Sequence, residues 1–151
     1  MSRSIKFIVL HCTFTTPDTD ILQIQNIWRN AFGNDTPAHH LVIGQGGESY
    51  VLADINEQTY GVTAWNKEAY HISYIGGRNY LGQLEDTRSS LQKIALFEAV
   101  KQIKEQYPRA YVRGHRDFPN KHTICPVFDA GSWYISALLM EAQFGSYIPI
   151  M

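Results

Sequence analysis

The stretch that most constrains the fold is IKFIVLHC, Ile5 to Cys12. A strand with one wet face alternates apolar and polar residues. This stretch is apolar on both alternating faces, as a central strand covered on both sides is. It does not read as a secretory signal, because the apolar run is too short and no small-residue cleavage site follows it. A strand of this kind needs helices packed above and below its sheet, which points to the α/β class.

The remaining segments fit that plan. Asp20 can cap a helix that carries Ile24, Ile27, Trp28 and Ala31 at helical spacing, and Gly33 stands where it would end. In AHHLVIGQGGESYVLAD two β-type runs flank Gln45-Gly46-Gly47-Glu48, the pattern of a hairpin. TYGVTAWNKEA reads as a loop, and YHISYIGG as a further strand ending in a glycine pair. Ser89 and Gln92 make a capping box at the head of a long helix. Its apolar stripe is expected to run through Leu91, Ile94, Phe97, Val100, Ile103 and Tyr107, and Pro108 stops it. AYVRGH is a short strand that delivers His115, and GSWYISALLMEAQF a last helix packing Trp133, Ala137 and Met140. The expected architecture is one domain over residues 1–151: a central mixed sheet flanked by helices, with its ligand groove at the strand ends.

Composition narrows the function. A chain of 151 residues fits one domain, with 44% hydrophobic and 18% charged residues. The net charge of −1 provides no basic field for nucleic acid or for an anionic membrane surface. No apolar run is long enough to insert into a bilayer. Two cysteines, Cys12 and Cys125, rule against a disulfide framework and leave a thiolate ligand open.

The chemistry concentrates near the C-terminal end, in GHRDFPNKHTICPVFD, which holds His115, His122 and Cys125. His11 ends the first strand, and His115 ends the strand before this motif. Two strand-terminal histidines and a loop cysteine make a plausible three-ligand zinc set, with a fourth position open to water. His122, three residues before Cys125, competes on spacing alone. If His11 is a ligand, strand alternation sends Cys12 to the opposite face as a core thiol.

The chain resembles the type 2 N-acetylmuramoyl-L-alanine amidases, a superfamily that includes phage lysis amidases and peptidoglycan recognition proteins. The resemblance rests on IKFIVLHCTFT, HHLVIGQGGESY, HISYIGG, GHRDF and CPVFD, in the family's order and spacing from about Ile5 to Trp133. It implies the fold described above, a zinc ion held by His11, His115 and Cys125, and a groove over that zinc. It also implies hydrolysis of the amide between N-acetylmuramic acid and L-alanine in bacterial peptidoglycan.

Two positions depart from the family pattern. His39, in PAHHLV, stands where the family commonly has a catalytic Tyr or Glu, and His40 matches the family's own histidine. Neighbouring strand residues face opposite ways, so only one of the pair can look into the groove. A neutral imidazole at His39 can act as a general base. Thr123 stands where many relatives have the lysine that steadies the oxyanion; it offers a neutral hydrogen bond instead. Tyr60, Trp65 and Asn66 are candidates for sugar or stem-peptide contacts. Asp117 reads as a loop cap, and His71 has no chemical role assigned. The expected partner is peptidoglycan or a muropeptide, bound by a monomer made in the cytoplasm that either reaches the wall by lysis or another non-Sec route or recycles wall fragments in the cytoplasm. The alternative is a catalytically weakened, zinc-stabilised peptidoglycan-binding module.

Overall fold

The structure is a computed structural model that describes residues 3–33 and 35–149. The chain runs β1 (Phe7–Cys12), α1 (Ile21–Phe32), β2 (Leu41–Ile43), β3 (Ser49–Val51), β4 (Ala69–Tyr74), α2 (Ser90–Gln106), β5 (Tyr111–Gly114) and α3 (Ala130–Phe144). Single 3₁₀ turns precede β4, at Asn66–Glu68, and follow β5, at His115–Asp117. The sheet has five strands in the order β3-β2-β4-β1-β5. Its strands are parallel except for the β2–β3 hairpin, so it is mixed.

β1 lies between β4 and β5, as its two apolar faces require. Ile8, Leu10 and Cys12 join a core with Leu96, Phe97 and Val100 of α2 and Ala130, Tyr134 and Ala137 of α3. On the other face Val9 packs with Val62, Ala69 and Phe118, while Ile24 and Trp28 of α1 cover Val42 and Ile75. In the parallel register Leu10 pairs with Gly114, which puts His115 just past the end of β5 and beside the end of β1. The carboxyl ends of parallel strands thus converge where such folds bind ligands.

The helix ends form as the local sequence predicts. Asp20 accepts from Gln23 N while its own N–H donates to the Gln23 side chain, and Gly33 adopts the left-handed conformation at φ 73°. The buried stripes differ from expectation. Ile27 and Ala31 of α1 face solvent, leaving Ile24 and Trp28 to pack. In α2, Leu91 (56% exposed) and Ile94 face outward, and the inner face is Gln92, Leu96, Phe97 and Val100. Gln92 turns the helix. Its Nε2 donates to the carbonyls of Ile43 and Ile75, at 3.2 and 3.0 Å, and its Oε1 caps Ser89 N. The Ile43 carbonyl also accepts from Ile75 N, but the buried Ile75 carbonyl has Gln92 as its donor, and leaving it unpaired would cost more than exposing two aliphatic side chains. In α3 the buried set is Ala130, Tyr134 and Ala137. Trp133 and Met140, expected in the core, are half-buried at its edge, where the Trp133 indole donates to Tyr147 Oη at 2.9 Å.

Candidate metal centre

His11 points from β1 to the face opposite Cys12, as alternation demands, and is almost wholly buried. His115 follows β5 in a turn that Asp117 closes by accepting from Gly114 N at 2.8 Å, the capping role expected of that Asp. Cys125 arrives on a loop held down at several points. Its carbonyl accepts from Arg116 N (2.8 Å), its Sγ accepts from Cys12 N (3.2 Å), and Tyr74 Oη donates to the carbonyl of Pro126 (2.7 Å). Gly114 makes this approach possible, because a Cβ there would come within 2.7 Å of Pro126 Cδ.

The ligand atoms of His11, His115 and Cys125 all lie within 4.8 Å of one another, with His11 Nδ1 3.8 Å from Cys125 Sγ. No other set of three or more potential metal ligands is clustered among the described residues. His122, the rival on spacing, is exposed and outside this group.

Burial sets the charge state of the trio. It holds His11 well below the ordinary histidine value, and the neighbouring His39, His71 and His115 add to the effect. His115 is lowered by burial and then by the charge of Lys121. The imidazoles are therefore neutral, the form that binds metal. Burial pushes the Cys125 thiol well above its usual range, with Cys12 adding to the shift. Two neutral imidazoles and a buried thiol that only a cation would deprotonate make a donor set that fits zinc.

His39 stands beside the trio. It is 6% exposed, its ring stacks on His11 at 4.0 Å between centroids, and Trp28 meets it edge-on at 5.0 Å. Burial, followed by the nearby His115 and His40, lowers its pKa to about 3. Its Nδ1 is buried without a hydrogen-bond partner. His40 departs from His39 even though both precede β2. Its Nδ1 lies 3.0 Å from His71 N, which can only donate, so Nε2 carries the proton and donates to the carbonyl of Glu57 at 2.7 Å. His40 therefore ties β4 to the loop after β3. Thr123 Oγ1 accepts from Cys125 N at 3.2 Å, which leaves the hydroxyl proton free to donate elsewhere.

The loop residues expected at the substrate divide. Tyr60 is half exposed and lines an open depression of ≈ 550 Å³ with Phe32, Gln58, Thr63 and Ala64. Trp65 instead packs edge-on against Phe7 and also against Phe118, closing the small core on that face. Asn66 is 8% exposed, and its Oδ1 accepts from Val62 N at 2.7 Å and lies 2.8 Å from His71 Nε2. Its oxygen is thus committed inside the protein, while the residue also lines the depression beside Tyr60. His71, without a role on sequence grounds, places Nδ1 2.8 Å from His11 Nε2. Its position on the same strand face as Ala69 and Ser73 was readable from alternation, but its partner was not.

Known proteins share the family and the fold of this chain. Residues 1–128 match the family model described as N-acetylmuramoyl-L-alanine amidase. The endolysin of Klebsiella phage KP32 is 26% identical over 140 residues, covering 91% of each chain. The Ph2119 endolysin from the Thermus scotoductus MAT2119 bacteriophage shares the fold, with a TM-score of 0.73 at 23% identity over 88% of this chain and 84% of its own. So does the N-acetylmuramoyl-L-alanine amidase LysC from Clostridium intestinale URNW, with a TM-score of 0.71 at 19% identity over 95% and 87%. The match to the family model spans most of the chain, so the chain belongs to the N-acetylmuramoyl-L-alanine amidase family.

Proposed function

We propose that this amidase is a zinc-dependent hydrolase that cuts the bond between the lactyl group of N-acetylmuramic acid and L-alanine in bacterial peptidoglycan, within a single domain spanning residues 1–151. The observation that carries the reading is the trio His11, His115 and Cys125, two of them buried, with a fourth imidazole, His39, stacked on His11. Zinc held there supplies Lewis acidity, which polarises a carbonyl and makes water nucleophilic near neutral pH.

The chain's own groups do the rest. His39 is neutral at working pH and takes the proton lost by the attacking water, then returns it to the leaving amine. Its low proton affinity favours the second transfer over the first. Geometry, rather than proton affinity, supports the assignment: His39 is the buried imidazole next to the trio that has an unpartnered nitrogen. Thr123 donates its free hydroxyl proton to the oxyanion. A lost donor of that kind costs about 3–4 kcal/mol in typical enzymes. Tyr60 offers its ring to the sugar or stem peptide from the open depression.

The relatives named as phage endolysins favour a role in host lysis, with a monomer made in the cytoplasm and released to the wall by lysis. No helix among the described residues is long and apolar enough to cross a membrane. The neutral Thr123 in place of a charged oxyanion partner favours one second reading, a zinc-stabilised module that binds peptidoglycan without cutting it. Incubation of the zinc-loaded and chelated protein with purified peptidoglycan separates the two. New L-alanine amino termini, formed only with zinc, are expected. Binding without new termini at any pH would establish the module.

A further inference from the structure

The buried polar groups behind His11 form a chain whose direction is set at one end. Val62 N–H is a backbone donor and points at Asn66 Oδ1 from 2.7 Å. The amide of Asn66 must therefore present its oxygen there, and that same oxygen lies 2.8 Å from His71 Nε2. An oxygen accepts, so His71 carries its proton on Nε2 and has a bare Nδ1. That bare nitrogen is 2.8 Å from His11 Nε2, which must then be the protonated nitrogen of His11. The remaining nitrogen, His11 Nδ1, is left with its lone pair and lies 3.8 Å from Cys125 Sγ.

We infer that His71, held by Asn66, is a positioning residue that fixes the tautomer and ring orientation of His11 so that Nδ1 is the metal-binding atom. The inference rests on the zinc reading above. Partners of this kind behind a ligating histidine set its basicity and orientation. Here the backing group is itself an imidazole, and its proton is assigned by a main-chain N–H three links from the metal-binding atom. Reversing the chain would turn the Asn66 amide nitrogen toward Val62 N–H, donor against donor, in a place closed to water.

A second observation supports the same device. A Cβ at Gly61 would lie 2.3 Å from His71 Nδ1 and 2.5 Å from its Cε1. Gly61 has no positive φ to explain it. Its bare backbone leaves room for the imidazole at the nitrogen that receives the proton from His11.

The test uses the full chain. In the metal-free wild type, ¹⁵N NMR of labelled histidine should show His71 and His11 both protonated on Nε2. In chelator competition, His71→Ala should bind zinc about 10–100-fold more weakly than wild type, the usual loss for a backing partner. His71→Asn places an amide oxygen near the position of Nδ1 and should recover most of that affinity. Gly61→Ala, which keeps every donor and displaces only the ring, should weaken binding as His71→Ala does. A purely structural His71 would show no rescue by Asn and no tautomer preference. Protonation of His11 on Nδ1, or equal zinc affinity in His71→Ala and wild type, would overturn the inference. If His71→Ala fails to fold, the wild-type tautomers and His71→Asn decide it. A wild type that binds no zinc overturns the zinc reading instead, and the metal-free tautomers still judge the chain of bonds separately.

Discussion

The two faces of the sheet rest on different physics. Along β1, Ile8, Leu10 and Cys12 enter the core under α2 and α3, whereas Val9 and His11 turn to the side of α1 and the loops. Along β4 the same alternation sends Tyr70, Ile72 and Tyr74 to the first side and Ala69, His71 and Ser73 to the second. The first face is held by apolar burial, which is strong but non-directional. The second adds to smaller apolar clusters around Val9 and Val42 a set of hydrogen bonds among imidazoles and amides, which contribute little net stability each but direct the nitrogens that make them. One pair of strands therefore carries a foundation and a working surface back to back.

This contrast can be broken at its strongest point first. Phe97 is fully buried on the apolar face, and Phe97→Ala should destabilise the protein by about 3–5 kcal/mol in urea denaturation, with or without metal. An unchanged denaturation midpoint would mean that this face is not the foundation.

His39→Ala attacks the other side. It should leave zinc content and melting behaviour near wild type while lowering turnover on peptidoglycan fragments by roughly 10²–10⁴-fold. Wild-type turnover with full zinc would remove His39 from the mechanism.

Acid should separate the faces too. The buried histidines all lie on or beside the polar face, and His40 is the clearest case. Burial is the main cause that brings it down to about 4, against the hydrogen bond to the Glu57 carbonyl, with Arg3 adding to the fall. Below about pH 6.5 the unfolded chain binds a proton at this residue that the folded protein refuses. Stability from His40 is thus complete above that pH and is lost as pH falls towards 4, by on the order of 3 kcal/mol in all. Thermal melts of chelated protein between these pH values should show the decline, and His40→Gln should make it shallower while the other buried histidines keep part of it. A melting temperature indifferent to pH in this window would contradict the neutral, buried imidazole.

The smallest effect is expected outside both faces. Asp20→Ala removes a solvent-exposed helix cap and should cost about 1 kcal/mol, without change in zinc content. A larger loss would mean that α1 does more than cover Val42 and Ile75.

Several of these features were legible before any fold was known. The doubly apolar β1, the Asp20 and Ser89 caps, the glycine hairpin and the left-handed Gly33 are set by neighbours within a few residues, so local pattern is enough to find them. Even the opposite facing of His11 and Cys12 follows from the two-residue period of a strand. The α2 stripe differs from expectation because periodicity ranks Leu91 and Ile94 above a glutamine, and nothing local reveals that the Ile75 carbonyl needs the Gln92 amide.

The sequence by itself, through its motifs and their family resemblance, determined the α/β class, the order of the elements and the candidate trio His11, His115 and Cys125. Only the tertiary structure decided that His122 lies outside the trio, that Trp65 packs inward, and that the Asn66 oxygen meets His71. The reason is physical. A hydrogen bond between His11 and His71 joins residues 60 apart, and it exists because β1 and β4 pair in one register and Gly61 leaves space beside the ring. Such bonds depend on the direction of individual lone pairs across neighbouring strands, a quantity that neither composition nor periodicity along the chain contains.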